Sequence, residues 1–224
     1  MDKETSVKNL AKALDSFIRE KDFIESLACG MLLFLESETV DLDRLIRAAG
    51  PDYLEVLLLA FEWKLILPLL PSKTCAWEDL AIVGISAKLY SMPKAVYYII
   101  RQSAEKGFWD VEGGLKVMFK TLDVPASPDK MTTLVQELFN RERFMSVSAR
   151  DIDLACRAVG LPGLADPVIA IFKGFGIISP KLSHVGKSVL GLGPLYDLNP
   201  SLGCKLIEVT NFKEKKIRSS PIFR

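Results

Sequence analysis

The ten residues Asp41 to Gly50 (DLDRLIRAAG) recur as Asp151 to Gly160 (DIDLACRAVG), 110 positions later. Five positions are identical: Asp41/Asp151, Asp43/Asp153, Arg47/Arg157, Ala48/Ala158 and Gly50/Gly160. Self-similarity at a fixed offset is the signature of a duplicated structural unit, so the chain is constrained to follow one local plan twice. The apolar positions repeat as well. Leu42, Leu45, Ile46 and Ala49 become Ile152, Ala155, Cys156 and Val159, the i, i+3, i+4, i+7 stripe of a helix that buries one face.

The match continues downstream, where Val56 to Pro68 (VLLLAFEWKLILP) aligns with Val168 to Pro180 (VIAIFKGFGIISP) at a shift of 112. Each copy therefore reads as helix, turn, helix, stop. Gly50, Pro51 and Asp52 carry the first turn, and Gly160, Leu161, Pro162 and Gly163 the second, with glycine closing one helix and proline opening the next segment. Short β-like stretches, Leu65 to Leu67 and Ile177 to Ile178, precede the closing prolines. Upstream, Phe23 to Leu35 and Leu134 to Met145 are apolar-periodic in matching positions. Each unit thus amounts to three helices followed by an extended hairpin.

This order, with a tight turn between the second and third helices and a hairpin after the third, resembles the winged-helix family of helix-turn-helix domains, here in tandem. The resemblance covers roughly residues 20–80 and 130–210 and rests on element order and the repeat. It implies a mainly α fold with short β-hairpins: two winged-helix-like units in tandem joined by connecting helices. The second wing is expected at Ser179 to Pro200, with Leu195, Tyr196, Asp197 and Leu198 as a strand. The first is expected at Leu70 to Asp79, with Trp77 standing where Tyr196 stands. The expected organisation is an N-terminal helix and first unit over 1–90, connecting helices over 91–126, and a second unit with a basic tail over 127–224.

Between the units, Pro93 introduces a helix from Lys94 to Lys106 that Gly107 closes, and Val111 to Leu122 follows. Ser127 is placed to cap a helix beginning at Pro128, because its oxygen can accept an orphan amide and proline has none to lose. Tyr97, Tyr98, Ile99 and Ile100 make the Lys94 helix apolar over much of its girth. It either packs between the units or completes the core of the first. The N-terminal helix, with Val7, Leu10, Ala11, Leu14, Phe17 and Ile18 on one face, is a packing or dimerisation element.

With 49% hydrophobic and 25% charged residues and a net charge of +1, the composition is that of a globular chain with enough apolar surface for one large or two small cores. Uncharged stretches such as Ser26 to Leu35 fall far short of the roughly 20 residues a membrane span needs, so a cytoplasmic location without membrane partners is expected. Cys29, Cys75, Cys156 and Cys204 are scattered without metal-ligand or redox spacing and read as reduced structural thiols.

Catalytic chemistry has little to draw on, since His184 is the only histidine and any Ser/His/Asp or Cys/His arrangement would have to use it. Gly186-Lys187-Ser188 lacks the leading glycine of a phosphate-binding loop, Lys181 standing in its place. Asp41/Asp43 and Asp151/Asp153 fall at helix starts, where capping explains them better than acid–base work. No catalytic residue, cofactor or metal is expected, and the chain reads as a non-enzyme.

Winged-helix proteins commonly place the helix after the turn in the DNA major groove, which calls for polar side chains and cations. Here Leu54 to Leu67 carries Glu55, Glu62 and Lys64, and Leu164 to Ile178 carries Asp166 and Lys173, with no arginine in either. Phosphate attraction dominates nucleic-acid affinity, so the pattern argues for protein interaction or scaffolding, through self-association or another protein. Phe61, Trp63, Phe172 and Phe175 are the candidate contact residues. The alternative is a DNA-binding transcriptional regulator that uses the second wing and tail, through Lys181, His184, Lys187, Lys213, Lys215, Lys216 and Arg218.

Overall fold

The computed structural model describes residues 2–69, 76–77, 87–142, 145–181 and 193–203. The protein is mainly helical, with two small three-stranded antiparallel sheets. After helix α1 (Lys3–Asp15), the first unit runs α2 (Ile24–Glu36), β1 (Thr39–Asp41), α3 (Leu42–Ala49), α4 (Tyr53–Glu62), β2 (Leu67–Pro68) and β3 (Leu89–Ser91). Helices α5 (Lys94–Lys106) and α6 (Val111–Thr121) connect it to the second. That unit repeats the order as α7 (Pro128–Arg141), β4 (Ser146–Ser148), α8 (Ala149–Ala158), α9 (Ala165–Phe175), β5 (Ile178–Pro180) and β6 (Leu195–Leu198), and is followed by the single turn α10 (Pro200–Gly203).

Both sheets share one topology, with the last strand of the unit between the other two: β1-β3-β2 and β4-β6-β5. A buried tyrosine sits at the middle of each. Tyr90 pairs with Val40 and Pro68, and Tyr196 pairs with Val147 and Pro180. Tyr90, not Trp77, is therefore the counterpart of Tyr196. The expected first wing at Leu70 to Asp79 was too short: the returning strand begins only at Leu89, and of that span Ala76 and Trp77 alone are described. The second hairpin agrees with expectation, β6 covering Leu195 to Leu198.

The repeat is tighter in space than in sequence. Asp41 caps α3 by accepting the Arg44 amide at 2.8 Å, and the residue that does this for α8 is Ser148, not Asp151. Ser148 and Asp151 form a reciprocal capping box, each side chain accepting the other's backbone N–H, which satisfies two orphan donors. Helix α8 is 10 residues long against 8 for α3; these added residues, with Val159 after the helix, absorb the offset before the two turns align at Gly50 and Gly160, both at positive φ.

The core is one continuous apolar cluster running through both units and the connecting helices. Helix α5 supplies much of it: Ala95, Val96, Ile99 and Ile100 are fully buried, and the helix packs on α1, α2, α6 and α9. It thus lies between the units and also completes the first. Leu10 and Leu14 of α1 are fully buried within the chain, and the Asn9 side chain donates to the Ala104 and Glu105 carbonyls near the end of α5. That face is thereby used internally. Ser127 caps α7 as expected, accepting from the Lys130 amide, and Gly107 closes α5 in the left-handed conformation.

Candidate interaction surface

The helices that follow the turns, α4 and α9, end alike. Lys64 (φ 51) and Gly176 (φ 70) both take the left-handed conformation, and the next amides, of Leu65 and Ile177, reach back to the Ala60 and Phe172 carbonyls at 2.8 and 2.9 Å. Glycine is needed at 176 on two counts, since an added Cβ would also lie 2.5 Å from Pro93 Cβ. The two helix ends meet at one side chain. Asn199, wholly buried, donates its amide to the Lys64 carbonyl at 3.3 Å and to the Gly176 carbonyl at 3.0 Å, while its own oxygen accepts from the Ser201 amide and hydroxyl. The full hydrogen-bonding capacity of a buried amide is used to join the equivalent points of the two units.

Aromatic packing surrounds this seam. The Phe17 ring meets Trp63 edge-on at 4.9 Å and Trp109 at 4.8 Å, and the Trp109 indole N–H donates to the Ser201 carbonyl at 2.8 Å. Trp77, itself buried, donates its backbone N–H to Ser179 Oγ at 3.0 Å. The first unit thereby reaches the face of the second sheet opposite Tyr196. Burial pushes the Lys64 ammonium pKa down, with Asp197 and Glu62 pulling it partly back.

The aromatics expected to contact a partner are taken up in these internal contacts to different degrees. Phe172 is fully buried and offers no surface; it lies 6.3 Å from the Phe119 ring. Phe175 is half-buried beside the same ring, with the Lys94 ammonium 6.0 Å over its face. Trp63 is half-buried in the seam, and half-buried Phe61 packs 5.8 Å from Tyr90. Among the expected nucleic-acid residues, Lys181 is tied across the second sheet, its ammonium 2.9 Å from Asp197 and 3.0 Å from the Ser146 hydroxyl. His184, Lys187, Lys213, Lys215, Lys216 and Arg218 lie outside the described residues.

Solvent meets a different set. On α4 the exposed side chains are Leu54, Glu55, Leu58 and Glu62, with Leu58 48% and Leu54 37% exposed. Their spacing of three and four places all four on one face, two leucines flanked by two carboxylates. The equivalent face of α9 shows Asp166, Pro167, Ala170, Lys173 and Gly174, nearly neutral and without a large apolar group. Helix α8 exposes Leu154, at 40%, between Arg150 and Arg157. The sequence signal for these leucines is the helical period, since the pattern that marks the buried stripe marks its opposite face equally well. A groove of ≈ 640 Å³ also opens over the first sheet, lined by Phe34, Glu36, Glu38, Leu69, Lys94 and Tyr98 among others.

The described thiols are poor nucleophiles. Burial, with Asp153 adding to it, pushes the Cys156 pKa from 9.0 up to about 11, and burial raises that of Cys29 too; both cysteines are unbridged. Among the described residues no group of three or more His, Cys, Asp or Glu side chains is placed to hold a metal ion, and no helix is long and apolar enough to cross a membrane. No curated protein and no solved structure matches the chain. A protein-family model matches residues 45–210, from within α3 of the first unit to beyond β6 of the second. That span is well over half of the 224 residues, so the chain belongs to this family, whose model covers the first unit from within α3 onward, the connecting helices and the second unit through β6.

Proposed function

We propose that the protein is a non-enzymatic tandem winged-helix protein that acts as a protein-interaction or scaffold module. The fold assignment is supported by the helix–strand–helix–helix–strand–strand order of each unit and by a sheet with the last strand in the middle. The observation that carries the functional reading is the solvent face of α4. This helix takes the position of a recognition helix, yet it presents Leu54, Glu55, Leu58 and Glu62, two apolar groups and two negative charges where a DNA reader needs cations and base-edge donors. Exposed leucines at that density suit a protein partner, and the carboxylates repel phosphate.

Binding of the purified protein to a pool of random duplex DNA, followed at low and moderate salt, tests the reading. Lack of binding at low salt is the expected result. Binding that weakens steeply with salt, and is reduced when Lys187, Lys215 and Lys216 are replaced by alanine, would overturn it in favour of a DNA-binding regulator using the second wing and tail.

A further inference from the structure

The two units have diverged at their surfaces in a complementary way. The α4 face carries Leu54 and Leu58 between Glu55 and Glu62, and the α8 face carries Leu154 between Arg150 and Arg157. On α8 the side chains at 150, 154 and 157 are spaced four and three apart and so share one stripe. Asp153 pairs with Arg157 at 2.9 Å across one turn, but Arg157 stays largely in water and the stripe keeps a net positive charge. The acidic apolar face lies in the first unit and the basic apolar face in the second.

We infer that a second copy of this chain docks here, α4 of each protomer against α8 of its partner, in a two-fold dimer. The inference rests on the protein-interaction reading and names its partner. Charge selects the pairing: α4 against α4 would oppose four carboxylates and α8 against α8 four guanidinium groups, whereas α4 against α8 sets Glu55 and Glu62 toward Arg150 and Arg157 and brings Leu54 and Leu58 onto Leu154. In an isologous interface a contact between two different patches occurs twice, so one arrangement satisfies both faces of both protomers. Removing Leu54, Leu58 and Leu154 of both protomers from water supplies the affinity, and the charged rim supplies register and partner choice.

The test is a charge exchange in the full-length chain, read by sedimentation over a concentration series. All four charged side chains are exposed, so the variants keep the fold, which circular dichroism checks. The wild type is expected to dimerise, and Glu55→Lys/Glu62→Lys or Arg150→Glu/Arg157→Glu should each weaken self-association about tenfold or more, like charges now facing each other. Mixing the two variants restores opposite charges at both contacts, and the mixture should return to within about threefold of the wild-type affinity. A monomeric wild type, or variants that dimerise as well as it does, would overturn the inference. A monomer that binds no DNA refutes this dimer alone and leaves a different protein as the partner, whereas salt-sensitive DNA binding refutes the interaction reading itself.

Discussion

Lys64 and Gly176 occupy equivalent positions with the same backbone conformation, but only one of them is glycine. A side chain in the left-handed region carries a conformational cost, so Lys64→Gly is expected to raise stability by up to about 1 kcal/mol in urea denaturation, less the loss of the lysine's own packing. Gly176→Ala should cost more than that gain, because the substitution adds a contact with Pro93 to the strained φ. Asn199→Ala leaves the buried Gly176 carbonyl and the partly buried Lys64 carbonyl without their donor, and the same measurement should show a loss of roughly 1–3 kcal/mol. The Cys156 thiol gives a pH signature. Its pKa is raised in the folded state, so the stability it contributes is complete below 9.0 and is lost as pH climbs toward about 11. Tyr90 and Tyr196, also raised by burial, add to the loss in the same direction, and Cys156→Ala should therefore flatten the decline without abolishing it. Alkylation of Cys156 should be slow in the native protein and fast in denaturant, which mass spectrometry can follow.

Among the elements, those whose signals are local were legible. Helix α5 runs from Lys94 to Lys106 and α7 starts at Pro128, because proline, serine and glycine mark helix ends by their own backbone chemistry. Strand β3 was not legible. It is three residues long, too short to show an alternating pattern, and it pairs with β2 across a connection longer than a tight hairpin, so Trp77 drew the assignment that belongs to Tyr90. The register of the repeat misled in a similar way: Asp41 and Asp151 are both favourable at a helix N-terminus, and their identity hid the structural equivalence of Asp41 with Ser148. The cap geometry carries its own prediction. Ser148→Ala should destabilise the protein by roughly 1–2 kcal/mol and Ser127→Ala by less, since Ser148 is buried in a reciprocal box while the Ser127 bond is exposed and 3.4 Å long. Thermal unfolding of the two variants gives the order.

At the scale of the whole molecule, the repeat predicts two units but is silent on how they join. Asn199 and Lys64 are 135 positions apart, and nothing in the neighbourhood of either residue signals the contact, which arises only when α5 and α6 bring the second unit against the first. Helices α4 and α9 carry few charges, and the structure covers much of their apolar surface from within the chain, leaving the α4 leucines outside. A core shared across both units and the connecting helices should unfold in one cooperative transition, with intrinsic fluorescence and circular dichroism giving coincident curves. Two separated transitions would mean that the seam contributes little. The interaction reading stands or falls on what the assembled surface recognises. The most direct measurement is the solution mass of the purified full-length chain by light scattering at low salt, alone and with an equimolar short duplex. The account predicts a mass that the duplex leaves unchanged; a mass that increases by that of the duplex, and returns to its starting value when salt is added, would contradict it.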